Sequence, residues 1–170
     1  DYKYNPTQEF NFPTIVDTKD HPVENALGDY RYYLFYAPHD APAGNCVAVS
    51  NSLDGPWVEY GSNPVVSKEW DENYSVSHVS SPFVMWNDVY DCYFMYFHGE
   101  NNITRYATSD DLLSWTYGGV CVTANDFSPT GGGLNEASYA KVFEHEVPGL
   151  GNKYIMLLMV TGTATGGHRN

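Results

Sequence analysis

The polar residues that could do chemistry in this chain sit where aromatic runs end. "YYLFYAPHD" (Tyr32 to Asp40) closes on His39 and Asp40, and "CYFMYFHGE" (Cys92 to Glu100) closes on His98 and Glu100. A further carboxylate, Glu136, stands in "NEASYAKVF" after the glycine-rich "TGGGLN", and His78 stands in "YSVSHVSSP". Paired carboxylates are the tools of glycoside hydrolysis. One protonates the leaving oxygen while the other activates water or attacks the sugar, at about 5–5.5 Å separation for retention and about 6.5–9.5 Å for inversion.

Glu136 is a reasonable acid, because a carboxyl entering an apolar strand is partly shielded from water; the alternative is a loop carboxylate in water. Asp40 and Glu100 hold equivalent places after Tyr33 and Tyr93 and are the candidates for the second carboxylate. His39, His78 and His98 are candidates to hydrogen-bond sugar hydroxyls. Arg105 either pairs with Glu100 or grips a ligand carboxylate through two parallel bonds. Trp70, in "EWDENYSVSH", either stacks on the apolar face of a sugar or packs in the core. For each strand-end Asp or His the plain alternative is a side chain that satisfies a turn.

Other chemistries lack their signatures. There is no G-x-S-x-G elbow, no H-E-x-x-H and no phosphate loop. No cofactor is expected; a structural calcium ion is compatible with the architecture below, although no oxygen-ligand motif points to one. The three cysteines, Cys46, Cys92 and Cys121, have no metal-ligand spacing and do not suggest a disulfide scaffold.

Composition narrows the partners. The 170 residues carry a net charge of −13, which argues against a nucleic-acid backbone or an anionic membrane as partner. Aromatic residues make up 16% and charged residues only 17%, the reverse of a disordered chain. No apolar run approaches the roughly 20 residues of a membrane span, and "DYKYNPTQEF" at the start has no signal-peptide core.

The elements that must position these residues repeat. Tyr33, Tyr93 and Tyr154 lie in three aromatic or apolar runs spaced by 60 and 61 residues. Downstream, "NCVAVSNSLDGPW" sits opposite "ITRYATSDDLLSW"; upstream, "FPTIV", "SPFVM" and "SYAKVF" take the same place. Each unit reads as a short strand, an aromatic strand, another strand, a polar turn and a Trp-led strand, with no convincing helical period. Four short antiparallel strands, radially repeated, make a propeller blade. The units span about 10–65, 78–120 and an incomplete 136–170 of a single domain. A closed ring needs at least about four blades. The expectation is therefore an all-β, five-bladed propeller present as roughly its N-terminal half, completed by a C-terminal segment or a second chain.

"YYLFYA…VAVSNSLDGPW" and "YFMYFHG…RYATSDDLLSW" resemble blades of the five-bladed propeller glycoside hydrolases, families 43, 62, 32, 68, 117 and 130, with family 43 closest in blade motifs. The resemblance implies hydrolysis of an oligo- or polysaccharide, outside the cell or in the periplasm. It implies a general base before Pro on the first inner strand, where Phe12-Pro13 stands. It implies a second Asp at Ser81-Pro82-Phe83 and a general acid at Glu136. Only Glu136 keeps its carboxylate. The rival expectation is a carbohydrate-binding propeller that lacks the full acid-base set.

Overall fold

A computed structural model describes residues 3, 5, 9–38, 43–127, 133–151 and 153–162. The first sheet holds β1 (Asn11–Asp17), β2 (Tyr32–Ala37), β3 (Cys46–Ser50) and β4 (Val58–Glu59), in that spatial order and antiparallel throughout. A two-stranded hairpin follows, β5 (Glu69–Trp70) with β6 (Tyr74–Ser75). The second sheet repeats the first: β7 (Ser80–Asn87), β8 (Cys92–His98), β9 (Ile103–Ser109) and β10 (Thr116–Thr123), again neighbours in sequence order. One turn of 3-10 helix at Ala124–Phe127 leads to a third, two-stranded sheet of β11 (Leu134–Glu144) and β12 (Tyr154–Gly162). Two four-stranded blades and the inner two strands of a third form an incomplete propeller, as the repeats predict.

The aromatic runs are continuous rather than alternating because both of their faces are buried. In β2, Tyr33 and Phe35 join Val47 and Val49 of β3 and face Tyr93, Met95, Phe97 and Ala107 of the second blade in one core. Tyr36 of β2 faces the other way, into a smaller cluster with Cys46, Ala48 and Trp57. Phe94 and Tyr96 of β8 meet Ala140 and Val142 of β11. Trp115 lies edge-on to Phe35 at 5.8 Å, so this Trp packs between blades.

The loop from β1 to β2 reaches across to the second blade. The Tyr93 hydroxyl donates to the His21 carbonyl at 2.6 Å, and the His21 ring stacks on Trp86 at 4.0 Å. The Asn25 side-chain amide donates to the Tyr33 hydroxyl and to the Asp111 carbonyl, both at 2.8 Å. Asp111 caps its own turn, accepting from the backbone amides of Leu113 and Ser114. The polar turn seen in the repeat is thus an inter-blade anchor.

Candidate functional site

The three innermost strands share one local irregularity. In β1 pairing breaks between Asn11 and Thr14, in β7 between Ser80 and Phe83, and in β11 between Ser138 and Lys141. Each break carries a non-glycine residue with positive φ: Phe12 (49°), Ser81 (54°) and Tyr139 (55°). A left-handed backbone costs an L-residue roughly 1–2 kcal/mol, and bulges re-aim side chains beside functional sites. Proline at 13 and 82 suits the unpaired position because it has no N–H to lose from the ladder. β1 and β7 are tied at this level by the Thr14 hydroxyl, which donates to the Pro82 carbonyl at 2.8 Å.

The bulges open onto a cleft of about 380 Å³ where the inner strands meet. Asn11 and Phe12 line it from β1, His78 and Ser80 from the approach to β7, His98 and Asn101 from the end of β8, and Tyr139 from β11. The Phe12 ring, 46% exposed at residue level, meets Tyr139 edge to face at 4.6 Å. Tyr139 in turn lies 4.6 Å from the His98 ring, and His98 lies 6.2 Å from His78. His98 is buried, while the His78 Nδ1 sits 2.9 Å from the Ser77 hydroxyl. Two imidazoles, two amides and an aromatic pair therefore converge on one polar-and-apolar cleft, the mixed lining typical of small-ligand sites.

Glu136 lies on β11, three residues before Tyr139, and is 3% exposed. Its Oε1 accepts from the Ser138 hydroxyl at 2.9 Å. The strand around it is fixed to the second blade: the Ala137 N–H donates to the Asn101 carbonyl, and the Thr104 hydroxyl donates to the Ala137 carbonyl. Asn135, on the strand's other side, lines a second cleft of about 320 Å³ that shares Asn101 with the first. Glu136 is thus a water-shielded carboxyl on the strand that borders both clefts, although it is not itself in the described lining of either.

Other expected site residues stand elsewhere. Glu100 is held by Arg105 through two bonds, 2.5 and 3.1 Å. Burial pushes the Glu100 carboxyl up, but the hydrogen bond and charge of Arg105 outweigh it and hold the group below the ordinary glutamate value. Arg105 is 5% exposed and lies over the Tyr74 ring at 5.0 Å, so it forms the ion pair rather than lining the cleft. Trp70 meets Tyr74 and Tyr117 at 6.1 and 5.6 Å and packs on the main core, which is the core alternative for this residue. His39 and Asp40 lie outside the described residues. Among the described residues no group of three or more His, Cys, Asp or Glu could hold a metal.

Sequence reasoning did not single out Phe12, Tyr139, Asn11 or Asn101 as lining. The signal for Phe12 was present: an X-Pro pair inside a strand marks a bulge. Tyr139 has Ala140 after it and carries no such mark.

Comparison with known proteins agrees with this architecture. The family model for the glycosyl hydrolases family 32 N-terminal domain matches residues 15–167. The blade motifs had pointed to family 43; the matching model is that of family 32, a member of the same propeller group. No curated protein matches. Among solved structures, the fructofuranosidase from Schwanniomyces occidentalis complexed with fructose superposes with a TM-score of 0.61 at 16% identity, covering 89% of this chain and 29% of its own. The exo-β-1,3-galactanase from Phanerochaete chrysosporium with galactose gives 0.56 at 17% identity, covering 91% and 35%. The exo-inulinase from Aspergillus awamori gives 0.56 at 16%, covering 90% and 31%. These likenesses concern the fold. The chain spans about a third of the length of each of these structures.

Proposed function

The chain belongs to the family of glycosyl hydrolases family 32 N-terminal domains, and from that membership we propose that it forms part of a propeller glycosidase that takes a sugar of an oligo- or polysaccharide into the cleft between the inner strands. The observation that carries the reading is Glu136, a carboxyl sealed from bulk water on the third inner strand, beside the bulge that presents Tyr139. Its role is to protonate the leaving glycosidic oxygen, a contribution worth roughly 10²–10⁴-fold. His78, His98, Asn11 and Asn101 supply hydrogen bonds to ring hydroxyls, and the Phe12–Tyr139 pair offers an apolar surface to the sugar face. The second carboxylate comes from Asp40 or from chain adjoining these residues, because Glu100 is engaged by Arg105. An extracellular or periplasmic setting goes with such substrates.

A specific observation favours a second reading. Phe12 and the Ser81–Phe83 run carry no carboxylate where the resemblance implies two. A propeller that binds glycans without cleaving them would have this composition. Incubating the complete natural protein with fructan, arabinan and β-1,3-galactan oligosaccharides, with products followed by chromatography and binding by calorimetry, separates the two. Turnover supports the glycosidase; binding without products transfers the assignment to the binding module; neither binding nor products with any glycan class overturns both.

A further inference from the structure

We propose that Ser138 and Thr104 are positioning residues for Glu136, the first holding its carboxyl and the second holding the strand that carries it; this rests on the glycosidase reading above and goes beyond it. Glutamate has a long side chain whose last torsion is broad. A carboxyl that must deliver a proton along one direction therefore needs anchors. Here they come from two blades.

Within β11, Glu136, Ala137 and Ser138 form a short regular stretch opposite Thr161, Val160 and Met159 of β12, with a register break on either side. Side chains alternate along a regular strand, so Glu136 and Ser138 share one face. That placement lets the Ser138 hydroxyl donate to Glu136 Oε1 at 2.9 Å. A one-residue slip between them would send the two side chains to opposite faces. Both residues are buried. A buried hydroxyl needs an acceptor and a buried carboxyl needs donors, and this contact serves both.

The backbone of Ala137, between the two, is held by the second blade. Its N–H donates to the Asn101 carbonyl at 2.8 Å, and its carbonyl accepts from the Thr104 hydroxyl at 2.7 Å. Thr104 is fully buried near the start of β9. The turn that leads to it from β8 is closed by the Ile103 N–H, which donates to the Glu100 carbonyl at 3.1 Å, and by the Glu100–Arg105 ion pair. The stretch that carries Glu136 therefore cannot slide along its own axis without breaking bonds to the second blade. A displacement of about 1 Å at a reacting group can cost on the order of 10²-fold in rate, so this brace bears on turnover rather than on ligand affinity.

The test uses the complete natural protein and whichever of fructan, arabinan and β-1,3-galactan oligosaccharides it turns over. The nitrophenyl glycoside of the same sugar serves as the substrate whose leaving group needs little protonation. Ser138→Ala should lower kcat on the oligosaccharide by roughly ten- to a hundredfold with KM unchanged, and lower it far less on the nitrophenyl glycoside. Thr104→Val, which keeps the shape and removes the donor, should act in the same direction by roughly tenfold. Ser138→Thr and Thr104→Ser keep the hydroxyl and should recover most of the loss. Combined with Glu136→Gln, Ser138→Ala should cost nothing further on the oligosaccharide, because the group it positions is gone. Equal losses on both substrates, losses that add to that of Glu136→Gln, or undiminished turnover in the alanine and valine variants would overturn the positioning roles and leave the glycosidase reading standing. Ser138→Ala deletes a single oxygen and decides the matter if Thr104→Val does not fold. Turnover of none of the three oligosaccharides by the parent protein would overturn the glycosidase reading and this inference with it.

Discussion

The rings of Phe12 and Tyr139 meet edge to face with centroids 4.6 Å apart, and both residues have positive φ. The contact thus joins two strained bulges from different blades. Two costs can be separated here. Phe12→Ala keeps the left-handed backbone and loses the aromatic pair, so it should destabilise by about 0.5–1.5 kcal/mol. Phe12→Gly loses the same pair but relieves the backbone, so it should be about 1 kcal/mol more stable than the alanine variant. Denaturant midpoints of the two variants check this; equal midpoints would mean that the bulge carries no left-handed strain.

The Glu100–Arg105 pair should respond unequally to its two deletions. The Arg105 side chain is 6% exposed and the Glu100 side chain 42%. Glu100→Gln leaves a buried guanidinium without its counter-charge and should cost about 3 kcal/mol. Arg105→Met leaves a carboxylate that water can reach, and should cost about 1–2 kcal/mol, mainly the lost contact over Tyr74. Because the folded Glu100 carboxyl titrates below its ordinary value of 4.5, its contribution is present above that value. It disappears as pH falls through the lower folded value. Stability measured from neutral pH into the acid limb should fall more steeply in the wild type than in Glu100→Gln.

Asn25 and Tyr93 should report the inter-blade anchor. Asn25→Ala removes donors to the Tyr33 hydroxyl and the Asp111 carbonyl, and Tyr93→Phe removes the donor to the His21 carbonyl. Each should cost about 1–2 kcal/mol, since a partly buried acceptor is left unpaired. Amide exchange should quicken in the loop between β1 and β2 with the inner-strand cleft unaffected. An unchanged exchange pattern would remove the anchoring role.

Much of the fold was legible because the first two aromatic runs are buried on two faces and the third, half-buried, is still apolar, which leaves long apolar strands at a fixed spacing from Tyr33 to Tyr93 to Tyr154. The β5–β6 hairpin was not, because two-residue strands carry no periodicity. In the site, His78 and His98 were found as residues that end or precede strands. Phe12 and Tyr139 were not, since apolar and aromatic side chains on an inner strand read as core until backbone geometry turns them into the cleft. Arg105 and Trp70 were ambiguous for the opposite reason: a cation or a Trp near a strand end serves packing as readily as binding, and local sequence does not separate the two.

The central claim rests on Glu136 as the group that hands a proton to the leaving oxygen. The most direct measurement compares the complete natural protein with its Glu136→Gln variant on a natural glycan and on an activated aryl glycoside of the same sugar. The amide keeps the shape and its hydrogen bond but delivers no proton. Turnover of the natural glycan should fall by roughly 10²–10⁴-fold and that of the aryl glycoside far less, with ligand affinity retained. Undiminished turnover of the natural glycan, or an equal loss on both substrates, would contradict the account.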